Sequence, residues 1–264
     1  MEKIDGKKIA QEIIEKLKKL PKPEKMLAAV LVGSTGSPQA ARSLSFLRQK
    51  EKMAADLGVA YHLYQYDDSI IEADLIKEIK KIGNDGEIGG IIVQLPLPPH
   101  YNRDKVLAAI NPKKDIDALT LESRNYVQPL PVEVVKDVLE FTNNKLQQMT
   151  TAVVGRGFLV GKLIIEWLEN MEKPFELFHS KSGLAGLKKA DLIITGVGKG
   201  GLINPKMLKK GAIVIDFGYD FVDGKIKGDF EPSEDFSGWY TPTPGGTGPI
   251  LVAEIFKNFY RLNK

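Results

Sequence analysis

The segment that most constrains this chain covers residues 151–161 and reads Thr-Ala-Val-Val-Gly-Arg-Gly-Phe-Leu-Val-Gly. Strand-forming residues lead into glycines, and the sequence that follows has helical character. This order predicts the strand, tight turn and helix start of a dinucleotide-binding βαβ unit. In such a unit glycines let the backbone approach a pyrophosphate, and the helix N-terminus supplies free N–H groups. The glycine spacing is one residue longer than the usual fingerprint, and a plain tight turn before a helix is the alternative interpretation.

Composition argues against several classes of function. The 264 residues suggest about two domains of an ordinary soluble protein. A net charge of +3, with lysine and glutamate interspersed, argues against a nucleic-acid partner. The absence of cysteine excludes disulfides, a thiolate nucleophile and a cysteine-based metal site, and the dispersed histidines do not suggest a zinc site. The chain has no signal-peptide pattern and no apolar run of about 18 residues, so we expect no membrane partner and a cytoplasmic location.

Helical and strand patterns alternate along the chain. Apolar residues at helical spacing predict helices, and short apolar runs predict buried strands. In the first half the predicted helices are 9–20, 43–57, 70–82 and 104–110, and the predicted strands are 27–32, 59–66 and 89–94. In the second half the predicted helices are 132–141, 160–170 and 250–262, and the predicted strands are 151–154, 175–178, 191–195 and 212–216. This alternation predicts an α/β fold with parallel sheets, and the aperiodic segment 115–131 is predicted to be the crossing between two domains.

Polar residues follow the second strand of the later domain. Where an NAD site usually has an acidic residue for the ribose hydroxyl, this chain has Ser180 and Lys181. Together with Arg156 in the glycine turn, these residues suit a 2′-phosphate, which favours NADP over NAD; a solvated polar turn is the alternative. The next strand leads into residues 196–198, where glycine permits close backbone approach to a cofactor, unless the segment is only a flexible loop.

Three residues of the first half could carry chemistry. Lys50 follows Phe46 by four positions, so the two side chains share a helix face. A lysine beside a cleft can act as a general acid or base if burial lowers its pKa, although a solvated lysine is the alternative. Gln94 lies where a strand meets a Leu-Pro-Leu-Pro loop and could point into a cleft, and Asp117 is either a ligand anchor or a surface turn residue.

Several segments together resemble one known family. Val-Gln-Leu-Pro-Leu-Pro at 93–98 is a specific match. Lys-Asp-Ile-Asp at 114–117 resembles K-D-V-D, and Thr-Pro-Thr-Pro-Gly-Gly-Thr-Gly-Pro at 241–249 resembles T-P-V-P-G-G-V-G-P. The glycine turn at 154–161 and His-Ser-Lys-Ser at 179–182 follow in the right order. Over nearly its whole length the chain resembles the bifunctional methylenetetrahydrofolate dehydrogenase/methenyltetrahydrofolate cyclohydrolase family.

This resemblance implies an activity and an organisation. The family oxidises methylenetetrahydrofolate to the methenyl form with NADP or NAD and then adds water to give 10-formyltetrahydrofolate, within one-carbon metabolism and purine biosynthesis. It implies a folate-binding catalytic domain of residues 1–120 plus 249–264 and a Rossmann-like NAD(P)-binding domain of residues 121–248. The last helix would return to the first domain. A homodimer formed through the later domain is also implied.

The resemblance further implies a role for each matching residue. Lys50 would be the catalytic lysine, Gln94 would assist it, Asp117 would bind the pterin edge, and Phe46 would stack on the folate. The loop residues expected to close over the folate are Pro244, Gly245 and Gly246. The residues expected to bind the cofactor are Gly155, Arg156, Gly157, Gly161, Ser180, Lys181, Gly196, Val197, Gly198 and Thr247.

The chain also departs from the family pattern. Phe46 replaces a tyrosine, Ala118 replaces the glycine after the pterin-binding aspartate, and Gly157 replaces a serine beside the phosphates. These departures leave open a dehydrogenase that has lost the hydrolytic step, or a non-catalytic protein that binds nucleotide or folate. A dehydrogenase acting on an unrelated small substrate is a further alternative, against which the motif at 93–98 argues.

Overall fold

The computed structural model describes residues 1–33, 38–179, 181–222 and 224–264. Its helices are α1 Gly6–Lys18, α2 Pro38–Asp56, α3 Glu72–Asn84, α4 Arg103–Leu107, α5 Leu130–Phe141, α6 Gly161–Asn170 and α7 Thr247–Leu262. Its strands are β1 Glu2–Lys3, β2 Met26–Val32, β3 Tyr61–Tyr66, β4 Ile88–Val93, β5 Thr151–Val154, β6 Phe175–Phe178, β7 Leu192–Thr195, β8 Ala212–Asp216, β9 Asp220–Val222, β10 Lys225–Lys227 and β11 Gly238–Tyr240. Short 3₁₀ turns span Glu122–Asn125, Leu146–Gln148, Ala185–Lys189 and Pro205–Met207.

The chain divides into two compact units. Unit 1 comprises Met1–Glu12 and Pro131–Leu251, and unit 2 comprises Ile13–Leu130 and Val252–Lys264. The last helix therefore begins in unit 1 and ends in unit 2, which confirms the predicted return of this helix to the earlier part of the chain. The finer domain boundaries expected after residues 120 and 248 remain a prediction.

Unit 2 contains a parallel sheet in the order β3-β2-β4. Every residue of β4 is buried, as are the last six of β2. A parallel strand covered on both faces reads as a continuous apolar run, which is why these two strands could be recognised in the sequence. From the last helix, Asn258 Nδ2 donates to the carbonyl oxygens of Ile116 (2.9 Å) and Gln128 (3.0 Å), so α7 supports the segment that follows β4.

Unit 1 contains a sheet in the order β1-β11-β8-β7-β5-β6, in which the strand pairs are parallel. The hairpin β9–β10 is antiparallel and lies outside this sheet. On one side the sheet packs against a cluster in which Phe230, Phe236 and Tyr240 meet edge to face. Parallel strands direct their carboxyl ends to one edge, so the loops after β5, β7 and β8 share that edge. The α/β fold with parallel sheets predicted from the sequence is confirmed.

Several helices begin earlier than the sequence pattern predicts. Helix α2 begins at Pro38 rather than at 43, α5 at Leu130 rather than at 132, and α7 at Thr247 rather than at 250. Each of these helices has a proline in its first turn, where the missing N–H has no intrahelical partner to lose. Within the described residues, the chain has no helix both long and apolar enough to span a bilayer.

Candidate active site

Lys50 and Gln94 contact each other in unit 2. Lys50 lies on α2, and Gln94 directly follows β4, where its backbone N–H still donates to the carbonyl oxygen of Val30 (2.9 Å). Lys50 Nζ donates to Gln94 Oε1 (3.1 Å), and Gln94 Nε2 donates to the carbonyl oxygen of Leu95 (2.7 Å). Because the amide nitrogen is engaged by a carbonyl acceptor, the amide oxygen is the atom that faces the lysine.

Asp117 lies in a turn that starts beside β4. Asp115, which forms an isolated bridge with that strand, is fully buried and accepts the backbone N–H groups of Leu119 (3.0 Å) and Thr120 (3.2 Å). Ala118 takes a left-handed conformation with φ of 51°. The turn therefore keeps the left-handed backbone that a glycine would favour, although alanine adopts it at a steric cost.

The electrostatics of this site shift two pKa values toward each other. Burial lowers the pKa of the Lys50 amine, and the charge of Asp117 opposes that change only in part. Burial raises the pKa of the Asp117 carboxyl to about 6; the nearby Lys50 charge opposes this rise, and the Asp115 charge adds to it. An amine and a carboxyl that both lose part of their preference for the charged form are suited to proton transfer near neutral pH.

Phe46 lies one helical turn before Lys50 on α2, and 38% of its surface is exposed. Its ring therefore offers an apolar surface on the helix face that carries the amine. This arrangement is compatible with the stacking role predicted for Phe46, which stays a prediction.

The glycine turn of unit 1 is built on close backbone contacts. Gly155 follows β5 with φ of 93°, and its N–H donates to the carbonyl oxygen of Phe178 (2.8 Å). A Cβ on Gly161, the first residue of α6, would collide with the carbonyl oxygen of Gly155, whereas a Cβ on Gly157 would meet only the carbonyl oxygen of Gly196 at 3.5 Å. The first and last glycines of the motif are therefore required by the turn itself.

The loop after β7 packs against this turn. A Cβ on Gly196 would come within 2.9 Å of the Val160 side chain, and a Cβ on Gly155 would come within 3.0 Å of Val197 Cγ2. Gly198 has φ of 75° and so needs the conformational freedom of glycine. The structure thus brings together the two glycine segments that the sequence predicts for the cofactor.

The remaining predicted cofactor residues have different surroundings. Arg156 and Lys181 are both exposed cations in unit 1. Thr247 is buried, and its hydroxyl donates to the carbonyl oxygen of Asp216 (3.0 Å). The predicted Ser180 lies outside the described residues.

The predicted folate loop lies in unit 1. Gly245 has φ of 99°, and its carbonyl oxygen accepts the N–H of Gly6 (3.1 Å). A Cβ on Gly246 would approach the carbonyl oxygen of Pro242 to 2.6 Å. Pro244, which directly precedes Gly245, follows a cis peptide bond. The loop is therefore held to the start of the chain by its backbone, and its role toward folate stays a prediction.

Sequence reasoning missed two buried carboxylates at the carboxyl edge of the unit 1 sheet. Asp229 accepts the hydroxyl of Thr195 (2.6 Å), and Asp216 accepts the N–H groups of Gly218 (2.7 Å) and Phe230 (2.9 Å). Burial raises the pKa of Asp216 to about 7, and the nearby Asp229 charge adds to the rise. Asp216 ends an apolar strand, which is a signal that could have identified it; Asp229 has no comparable signal.

Two family models match almost the whole chain. Residues 4–117 match the catalytic domain of tetrahydrofolate dehydrogenase/cyclohydrolase, and residues 130–264 match the NAD(P)-binding domain of the same family. The chain belongs to the tetrahydrofolate dehydrogenase/cyclohydrolase family. The resemblance inferred from the sequence motifs is therefore confirmed.

Individual members of the tetrahydrofolate dehydrogenase/cyclohydrolase family are similar to this chain over nearly their full length. The bifunctional protein FolD of Macrococcus caseolyticus is 33% identical over 97% of this chain and 95% of its own length. The bifunctional FolD structure from Campylobacter jejuni matches with a TM-score of 0.89 at 29% identity, covering 98% of this chain and 97% of that one. The Trypanosoma brucei FolD, solved with NADP cofactor and inhibitor, matches with a TM-score of 0.86 at 25% identity, covering 98% of this chain and 96% of that one.

Proposed function

We propose that this chain oxidises 5,10-methylenetetrahydrofolate to 5,10-methenyltetrahydrofolate with NADP⁺ and then hydrolyses the methenyl form to 10-formyltetrahydrofolate. The observation that carries the hydrolytic half is the half-buried Lys50 amine, which is hydrogen-bonded to Gln94 at 3.1 Å and faces the charge of Asp117. The glycine segments of unit 1, in which a Cβ on Gly155, Gly161 or Gly196 would come within 3.0 Å of a neighbouring atom, support the cofactor half.

In the hydrolytic step, Lys50 would act as the proton carrier. A neutral amine, favoured by the lowered pKa, accepts a proton as water forms a bond to the methenyl carbon. The bond from that carbon to N5 then breaks, N5 takes up a proton from the ammonium group, and the added oxygen becomes the formyl carbonyl after release of its own proton. Gln94 Oε1 holds the amine in one orientation, and Asp117 binds the pterin edge through its carboxyl group.

The glycine turn and the loop at 196–198 would hold the dinucleotide. The nicotinamide accepts the hydride when it is bound, so the chain needs no protein base for that step. Arg156 and Lys181 are exposed cations suited to a 2′-phosphate, which supports NADP over NAD.

Cofactor choice can be tested by steady-state kinetics of methenyl formation. The Arg156→Ala variant should raise the KM for NADP⁺ about 3- to 10-fold, because an exposed ion pair contributes little more than this. The KM for NAD⁺ should stay within about twofold, since NAD⁺ lacks the phosphate. An equal rise for both cofactors would instead place Arg156 on the shared pyrophosphate.

Phe46 motivates a second candidate, a dehydrogenase without hydrolytic activity. Its ring has no hydroxyl that could hydrogen-bond Lys50. Hydrolysis of supplied methenyltetrahydrofolate distinguishes the two functions: decay at the buffer rate supports the second. In that case Phe46→Tyr should restore hydrolysis, and failure to restore it would show that the hydroxyl is not what is missing.

We also propose a cytoplasmic homodimer that serves one-carbon metabolism and purine biosynthesis and binds neither nucleic acid nor membrane. The near-neutral charge balance and the full-length match to FolD proteins support this assignment. Light scattering on the purified protein tests the dimer: a mass near twice 29.2 kDa is expected, and a monomer across micromolar concentrations would contradict it.

A further inference from the structure

Asp229 is fully buried at the carboxyl edge of the unit 1 sheet, where it accepts three hydrogen bonds from the end of β7 and the loop that follows. Its Oδ2 accepts the hydroxyl of Thr195 (2.6 Å) and the backbone N–H of Val197 (2.7 Å). Its Oδ1 accepts the backbone N–H of Lys199 (2.8 Å). One carboxylate therefore fixes both ends of the segment that contains Gly198.

A second buried carboxylate supports the first. Asp216 accepts the N–H groups of Gly218 and Phe230 on its two oxygens, and a Cβ on Gly218 would collide with the Asp229 carboxylate. Within the described part of the chain, the hydrogen bonds to both carboxylates come from uncharged donors. Burial of two neighbouring carboxyl groups is costly for folding, and the hydrogen bonds from these uncharged donors offset part of that cost.

The loop that Asp229 holds lies against the glycine turn. Val197 keeps 46% of its surface exposed and would contact a Cβ on Gly155 at 3.0 Å. A Cβ on Gly157 would meet the carbonyl oxygen of Gly196. A small shift of this loop would therefore change the space next to Gly155 and Gly157, where the dinucleotide is proposed to bind.

We propose that Asp229 is a positioning residue for the cofactor, which sets the affinity for NADP⁺ by holding the backbone of Val197 and Lys199. This inference rests on the proposed function, since it assigns the glycine turn to the dinucleotide. Asp229 touches neither substrate nor cofactor and acts through the loop. The effect of removing its hydrogen bonds should therefore be confined to steps that need bound dinucleotide.

Asp229→Asn tests this role with little change in volume. One acceptor oxygen becomes an amide nitrogen, which then faces an N–H donor and leaves at least one hydrogen bond unmade. The KM for NADP⁺ should rise about 10-fold, whereas the KM for methylenetetrahydrofolate and the hydrolysis of supplied methenyltetrahydrofolate should stay within about twofold. The matched control is Asp220→Asn. Asp220 is half-exposed and accepts the N–H of Gly200 (2.9 Å). In this control both KM values and the hydrolysis rate should stay within about twofold of wild type.

Amide hydrogen exchange on the ligand-free variants gives a second measurement. The Val197 and Lys199 amides should exchange faster in Asp229→Asn than in Asp220→Asn. Faster exchange combined with a wild-type KM for NADP⁺ would overturn the positioning role. A parallel loss of NADP⁺ oxidation and of hydrolysis in a folded variant would also overturn it, because that pattern indicates general disruption.

Thr195→Val provides the test if Asp229→Asn does not fold. It removes only the hydroxyl donor, and a rise of about threefold in the KM for NADP⁺ with unchanged hydrolysis is expected. A wild-type KM for this variant would overturn the inference. A wild-type protein that shows no turnover with NADP⁺ would instead sink the proposed function.

Discussion

Replacing Lys50 with methionine isolates the contribution of the amine. Methionine keeps an unbranched apolar stem in the helix but removes the donor that lies 3.1 Å from Gln94 Oε1. It also removes the charge that opposes the rise in the Asp117 pKa, so that pKa should rise further above about 6. The substitution thus changes the chemistry of the site without removing the side chain that fills it.

The size of the loss can be bounded. A positioned general acid–base group contributes about 10²- to 10⁴-fold to a reaction rate, which corresponds to roughly 2.7–5.4 kcal/mol. We expect hydrolysis of methenyltetrahydrofolate to fall by that factor. The free energy of unfolding should change by at most about 2 kcal/mol, because an amine disfavoured by burial is lost and Asp117 can take up a proton.

The assay follows the decay of methenyltetrahydrofolate absorbance against buffer, with urea unfolding and NADP⁺ binding measured on the same preparations. Lys52→Met is the matched control, since Lys52 is exposed on the same helix. It should hydrolyse at the wild-type rate. A folded Lys50→Met variant that hydrolyses within about threefold of wild type would refute the role of the amine.

Three further outcomes follow from the geometry. Asp117→Asn removes the anion that raises the pKa of Lys50. At saturating substrate, the rising limb of the hydrolysis pH profile should therefore move to lower pH. An unchanged profile would contradict the electrostatic interaction between Asp117 and Lys50. Gly161→Ala should lower the free energy of unfolding by about 1–3 kcal/mol, because the new Cβ would collide with the carbonyl oxygen of Gly155. Gly157→Ala should lower it by less than about 1 kcal/mol, and equal losses in urea unfolding would contradict this difference. Burial raises the Asp216 pKa from 3.8 to about 7. Between these pH values the folded state keeps a proton that the unfolded chain releases. The free energy of unfolding should therefore fall as pH rises from about 4 to 7, by up to about 1.4 kcal/mol per pH unit. Asp216→Asn should flatten that slope, and an unchanged slope in urea titrations at several pH values would show that another group carries it.

Local sequence patterns predict much of this fold because its central parallel strands are buried on both faces. The β4 segment Ile88–Val93 is continuously apolar and was expected within one residue of its observed limits. The strand β1, by contrast, is Glu-Lys and pairs with β11 near the other end of the chain, so no local signal marks it. The sequence pattern does not predict the early starts of α2, α5 and α7, because proline marks a helix boundary in the pattern and yet is also accommodated in the first turn of a helix.

The same contrast between local sequence signals and contacts between distant residues applies to the candidate site. Lys50 and Gln94, which are 44 positions apart, were paired through the family resemblance, and their hydrogen bond is present. Local sequence does not identify Asp229, because its hydrogen-bond partners lie 30–34 positions away, at the end of β7 and in the glycine-containing loop that follows. The chemical roles of these residues stay predictions until variants are measured.

The most direct measurement is a single progress curve with the wild-type protein, methylenetetrahydrofolate and NADP⁺. The amount of NADPH should equal the sum of methenyl- and 10-formyltetrahydrofolate, and the methenyl absorbance should decay faster than in a sample containing the Lys50→Met variant. The absence of NADPH would contradict the oxidation. Decay at the same rate in both samples would contradict hydrolysis at Lys50.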